Sequence, residues 1–505
     1  MKMQCVDFSA DFVRPRLFLT IFCLVVGACD NRERPVTPST SQSDTPQQIP
    51  SHVTATASLS QESQPGSEVG NHANSIAEES VYKRTHYVTR TGNGRSDGSD
   101  WQNAAPAESL QGYLSEDVSA GDRIMIGSGT YSRFSVTRGG SADQPVSITG
   151  VDTGNGLPSI QGRWKQANPK YHAHSWNAIS LADGLSHLRI GGLEISGFIY
   201  GVQATNNHHV ELSGLSITRC REAVLLRGLT DSAIRDCQFI RYTKRGIRFK
   251  EGCHDLVITD VVADATGGDT AWPTEAFPFG FAIENGDGNH SIRYERCTAR
   301  NNIFPSEPGK YWNGDGFLAE NNSSNLVYID CSSFGNSDGG WDDKSLAPSL
   351  VGCIAARNKR GFRFWNVRGD REHPARLENC LGVYNKSAGG SGSSAGLWTC
   401  GAVEAERCTF HNNATAAVAI ENNRPGGKLL AINCILSADT TTSKNSLVLK
   451  ENGTTYDARS VITFNGDDPD DDPQYKDPSS DWNGSPIDAF VSRKYGTTHG
   501  YRLDR

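Results

Sequence analysis

Helical periodicity is absent between the recurring strands of this chain, and few positions match a leucine-rich consensus. These two gaps exclude helical solenoids and leucine-rich repeats. Basic charge is in deficit: 49 Lys and Arg against 57 Asp and Glu leave a net charge of −8. No general nucleic-acid-binding surface follows from that balance, although a locally basic groove on an acidic body is compatible with it. The apolar run at residues 17–28 is too short to cross a bilayer as a helix. Thirteen cysteines include no short Cys-x-x-Cys pair, which argues against a structural metal in the cysteine series. Hydrophobic content is low at 36% while glycine is frequent, with 52 residues, as suits a turn-rich β fold.

What is present begins with a targeting segment. Arg14 and Arg16 precede the apolar run, which ends in Val26-Gly27-Ala28-Cys29. Small residues directly before a cysteine, with a polar stretch after it, resemble a lipoprotein cleavage box. The expectation is a signal peptide over residues 1–29, lipidated at Cys29. The protein would then be exported, as a bacterial cell-envelope lipoprotein or a secreted protein, touching the membrane through a lipid anchor only. Residues 30–80 are rich in Ser, Thr, Pro and Gln and read as a flexible tether. The folded domain is expected over 81–465. An acidic loop and tail over 466–505, with Asp467, Asp468, Asp470, Asp471 and Asp472, packs on it as a solvated loop. A monomer is expected.

A short unit recurs through the middle: a small residue, then two apolar residues separated by one variable position. Gly201-Val202-Gln203-Ala204, Gly246-Ile247-Arg248-Phe249, Gly280-Phe281-Ala282-Ile283, Gly316-Phe317-Leu318-Ala319, Gly361-Phe362-Arg363-Phe364 and Ala417-Val418-Ala419-Ile420 are copies. A second series, out of phase, carries Cys237, Cys297, Cys331, Cys353, Cys380, Cys408 and Cys434. Spacings are about 22 to 28 residues, longer where loops are inserted. Short strands at such a period, none able to bury its own apolar face, predict an all-β parallel β-helix solenoid. A short helix near 109–114 is expected to cap its open N-terminal end. Aligned cysteines flanked by apolar residues predict stacked free thiols rather than disulfides.

Strand alternation turns the repeat into coordinates. The position two after the small residue faces outward and gives Gln203, Leu225, Arg248, Ala282, Leu318, Asp342, Arg363, Trp398 and Ala419. The position four after it gives Lys250, Glu284, Glu320, Lys344, Trp365 and Glu421. A solvent-facing row that is charged and aromatic only in its middle reads as a substrate groove, walled by insertions at 265–277 and 304–312. Asn313-Gly314-Asp315-Gly316-Phe317 and Asn336-Ser337-Asp338-Gly339-Gly340-Trp341-Asp342-Asp343-Lys344 bring Asp315, Asp338 and Asp342 together from adjacent coils. Turn chemistry explains Asp315 and Asp338 but not a mid-strand Asp342-Asp343. Three converging carboxylates repel without a cation, and flexible oxygen donors suit calcium. Arg363 follows one coil later in the column of Asp342, where a salt bridge between them is the plain structural alternative.

These motifs resemble family 9 polysaccharide lyases, exported right-handed parallel β-helix enzymes that include pectate lyases. The resemblance implies calcium held by Asp315, Asp338 and Asp342. The family has two consecutive aspartates where this chain has Asp338-Gly339. Asp343 is counted with the other three as a replacement, although alternation aims it inward. The family's catalytic lysine corresponds to Arg363, the expected proton abstractor. The implied activity is β-elimination on an acidic, uronate-containing, pectate-like polysaccharide. Lys344, Arg360, Arg248 and Lys250 are expected to bind substrate carboxylates, and Trp365 and Trp398 to serve as sugar platforms. Two alternatives stand beside it: a glycoside hydrolase using Glu284 and Glu320, and a non-catalytic glycan-binding surface protein.

Overall fold

Each coil consists of three short strands joined by tight bends, and equivalent strands of successive coils pair in parallel. The result is three sheets of 15, 13 and 12 strands. One coil runs Ser186–Gly191, Glu194–Ser196 and Tyr200–Thr205, contributing one strand to each sheet in turn. This is the parallel β-helix expected from the repeat. The computed structural model describes residues 82–163, 176–266, 277–284, 288–304, 313–365, 373–386, 394–423, 426–439, 446–466, 469–475, 487–495 and 497–503. The expected signal peptide with Cys29, the expected tether, most of the 265–277 insertion, residues 305–312 of the second one, and Asp467 and Asp468 lie outside the described residues.

The small residue of the repeat has a steric cause. A Cβ added at Gly280 would sit 2.6 Å from the Gly316 carbonyl oxygen of the next coil, and one at Gly361 would sit 2.5 Å from that of Gly396. The bend before most cysteines of the main column has a conformational cause: Asp236, Arg296, Asp330, Asn379, Arg407 and Asn433 all adopt left-handed φ between 50° and 54°. The ten described cysteines are free and buried. In the main column each thiol turns toward backbone carbonyls, as Cys297 Sγ does toward Ile258 O at 3.2 Å.

The core is a set of stacks along the helix axis. Phe281, Phe317, Trp341 and Phe362 stack coil on coil with ring centroids 4.8, 4.7 and 5.0 Å apart. At the bend entering the third sheet, Asn302, Asn336, Asn358, Asn385 and Asn413 form a buried ladder. Each of the first four donates its side-chain N–H to the next Oδ1, at 2.8, 2.8, 3.3 and 2.8 Å. At the N-terminal end, a helical run over 107–117 of mixed turn types buries Leu110 and Leu114 in the main core, longer than the helix expected there. Near the other end, Ala489, Phe490 and Tyr501 pack outside the second sheet against Leu381, Val383 and Tyr384.

Candidate functional site

The third sheet carries the site. Its register aligns Gln203, Leu225, Arg248, Ala282, Leu318, Asp342, Arg363, Trp398 and Ala419 across consecutive strands, the column read from alternation. The side chains between them, such as Phe317, Trp341 and Phe362, belong to the core. One expectation is corrected: the column is not solvent-facing along its length. Leu225, Ala282, Leu318, Asp342, Trp398 and Ala419 are each 5% exposed or less. Ala282 and Leu318 join Phe279 in one small apolar cluster, and Trp398 and Ala419 join Ala395 and Cys400 in another. Alternation places a residue outside the core, while coverage by distant segments decides whether water reaches it.

Between these clusters lies a buried group of charges. Gly339 N–H donates to Asp315 Oδ1 at 2.6 Å, and Asp315 Oδ2 has no partner. Asp338 pairs with Arg360 at 2.8 Å and with Arg363 at 3.7 Å. Asp342 Oδ2 receives Lys344 at 3.1 Å and Arg363 at 3.2 Å, leaving Oδ1 without a partner. Lys344 also pairs with Glu320 at 2.6 Å. Burial, with Asp342 and Asp338 beside it, pushes the Asp315 carboxyl well above the usual carboxylate range. Burial opposes ionisation of Asp342 too, but Arg363, Lys344 and Arg360 outweigh it and hold that carboxyl below its ordinary value. One acid is thus pushed toward the protonated form while its neighbour stays charged, the separation that marks functional carboxylates. Lys344 is held cationic by Asp342 and Glu320 against burial. Lys359, also buried, shifts the other way: burial and the adjacent Arg360 lower its ammonium pKa.

Arg363 and Arg360 sit against tryptophan. The Arg363 guanidinium lies 4.9 Å from the Trp365 ring and 5.1 Å from Trp398, and Arg360 lies 5.5 Å from Trp398. Trp398 is 2% exposed, with its indole N–H on Glu421 at 2.6 Å, so it serves as a wall for guanidinium groups rather than an open sugar platform. Trp365 is half-buried beside it. Two carboxylates and two aromatic faces lie against the Arg363 guanidinium, contacts that suit a cation. The salt bridge set out as its plain alternative is present.

Asp343 is a second correction. It points into the core, where Ser345 N–H and Oγ–H donate to its Oδ1 at 2.8 and 2.5 Å and Tyr328 donates to Oδ2 at 3.1 Å. Burial raises its pKa to about 6. It cannot replace the aspartate missing at Gly339. Among the described residues no group of three or more His, Cys, Asp or Glu is placed to hold a metal ion. Two unpartnered oxygens, on Asp315 and Asp342, fall short of the six or more that calcium takes. As arranged, with arginine, lysine and the Gly339 N–H occupying the remaining oxygens of Asp315, Asp338 and Asp342, the set does not fit calcium.

A second charged group lies further along the same sheet. Arg245 pairs with Glu284 at 2.9 Å, while Arg248 pairs with Glu284 at 2.6 Å and Glu222 at 3.3 Å. Arg221 pairs with Glu222 at 2.7 Å. Burial opposes the charge on Glu284, but Arg245 and Arg248 bring its pKa down to about 2. Of the alternative hydrolase pair, Glu284 is thus held ionised, which does not suit a general acid, and Glu320 pairs with Lys344. Lys250 stands half-buried at the strand end. The sequence marks Lys359 only as a flank of Arg363, and Lys244 and Arg245 went unread, although all three lie within a repeated motif visible in the chain.

Residues 174–343 match the family described as the right-handed β-helix region, which gives the solenoid its hand. No curated protein matches the chain in sequence. Among solved structures the chain is similar to a pectate lyase, Pel9A, at 14% identity and TM-score 0.39, over 76% of this chain and 81% of that one. It is similar to an alginate lyase from Paenibacillus sp. str. FPU-7 at 15% identity and TM-score 0.36, over 76% and 98% of the two chains. It is similar to a GH136 lacto-N-biosidase from Eubacterium ramulus at 12% identity and TM-score 0.48, over 78% and 70%.

Proposed function

We propose that this protein is a polysaccharide lyase that cleaves an acidic, uronate-containing glycan by β-elimination at the cluster of Asp315, Asp338, Asp342, Lys344, Lys359, Arg360 and Arg363. The observation that supports the reading is the burial of these charges outside the core, on one face of a β-helix. Apolar side chains would fill that face at lower cost, because buried ion pairs rarely repay their desolvation. In this reading Arg360 and Arg363 take up the uronate carboxylate and stabilise the charge that develops as the adjacent proton leaves. Lys359 is the proton abstractor: it is the lysine of the cluster whose ammonium pKa burial and Arg360 lower, against the pull of Asp338 and Asp315. The electrons of the broken C–H bond form the new double bond, and the glycosidic oxygen departs and takes a proton from solvent. Asp338 and Asp342 hold the guanidinium groups in place. No step passes through calcium.

The test is the ultraviolet absorbance of the unsaturated product across a panel of acidic polysaccharides, with added calcium and with chelator. Signal that persists in chelator, falls at least a hundredfold in Lys359→Met and survives in part in Arg363→Lys is the expected result. Loss in chelator would return calcium to the site, and retention in Lys359→Met would move the base to Arg363. Cleavage without the absorbance would make the protein a hydrolase, and binding without cleavage a glycan-binding protein.

A further inference from the structure

The sequence Lys244-Arg245-Gly246-Ile247-Arg248-Phe249 recurs as Lys359-Arg360-Gly361-Phe362-Arg363-Phe364. Among the described strands of the third sheet no other carries this pattern. The two copies are built alike. Arg245 pairs with Glu284 and lies 4.2 Å from the Phe279 ring, as Arg360 pairs with Asp338 and lies 5.5 Å from the Trp398 ring. Arg248 spans Glu222 and Glu284 as Arg363 spans Asp338 and Asp342.

The first copy is cation-rich. Among the described residues, Arg221, Lys244, Arg245 and Arg248 lie with two carboxylates, Glu222 and Glu284. The half-buried Lys244 ammonium makes no hydrogen bond or ion pair with a described residue, and the buried Nε of Arg248 has no acceptor. Burying more cations than anions is costly, and a net positive cluster concentrates the opposite sign.

We propose that this cluster is a second carboxylate-binding station, which holds a uronate of the same polysaccharide chain whose cleavage occurs at the Asp342 cluster. The proposal rests on the acidic-glycan reading of that cluster. Four strand steps separate Arg245–Lys250 from Arg360–Phe364, about 19 Å, a span of several sugar units. The ligand is therefore a long polyanion laid across the coils, and short oligomers cannot engage both stations. Burial, with Arg245 and Arg221 nearby, brings the Lys244 ammonium pKa down to about 8, and an arriving carboxylate would restore what burial removes.

The experiment is calorimetric titration of the full chain with linear uronate oligomers (galacturonate, glucuronate and mannuronate series) as trimers and heptamers. At least one heptamer is expected to bind tenfold or more tighter than its trimer. Lys244→Met should abolish that advantage while leaving trimer affinity unchanged, which also reports an intact fold, and Lys244→Arg should restore it. Equal affinity for trimer and heptamer, an undiminished advantage in Lys244→Met, equal binding of methyl-esterified heptamers, or no binding in any series would each overturn the station. Product absorbance read on the same samples separates the two ideas. A length advantage without absorbance keeps the station and sinks the lyase, and absorbance without a length advantage does the reverse.

Discussion

Asp342 is the residue on which the centre turns. It faces Lys344 and Arg363 from a position 3% exposed. Asp342→Asn removes the anion from two buried cations and is expected to cost about 3–5 kcal/mol, measured by denaturant unfolding. If Asp342 served calcium instead, chelator would destabilise the wild-type protein comparably; the expected effect of chelator is none. Asp343, its chain neighbour, shows how much one step along a strand matters. The pair is adjacent in sequence, yet one side chain meets arginine outside the core and the other meets Tyr328 within it.

At the level of the element, the asparagine ladder is what holds the approach to the groove strands in register. Asn358 accepts from the backbone N–H and side chain of Asn336 and donates to Ser333 O. Asn358→Ala strands these buried groups and should cost about 1–3 kcal/mol, read as a fall in the midpoint of thermal or denaturant unfolding. The ladder went unread in the sequence because its members sit in the bend, outside the alternating frame. The strand frame itself was legible: glycine spacing aligned Asp342 with Arg363 and Trp398, because each glycine marks where the next coil's carbonyl must come close. Coverage was not legible, since the burial of Leu318 and Trp398 depends on segments far away in sequence. The duplicated lysine–arginine motif was visible in the letters, but only its shared ion-pair geometry gives it meaning.

For the whole molecule, the C-terminal tail makes stability pH-dependent. His411 is 1% exposed among Tyr384, Tyr475 and Phe490, with Ser437 Oγ 3.0 Å from its Nδ1. Burial lowers its pKa from 6.5 to about 4, against the opposing pull of Asp439 and Asp472. The unfolded chain therefore binds the extra proton first, so this stability is complete above about pH 6.5 and is lost as pH falls toward 4. The loss is about 3 kcal/mol, and His411→Gln should flatten the slope in unfolding curves taken across that window. The thiols give a separate check: the ten described cysteines are buried and free. A thiol reagent should therefore label these ten only after denaturant is added, and peptide mapping that finds any of them labelled in the native protein would contradict the stacked column. The coil has one further consequence. Every coil advances the sheet by one strand spacing, about 4.8 Å, so the interval between the two lysine–arginine copies is counted in whole coils. Deleting or duplicating a coil between them would shift the reach of the groove by one notch at a time, which makes the solenoid a ruler for the chain it grips.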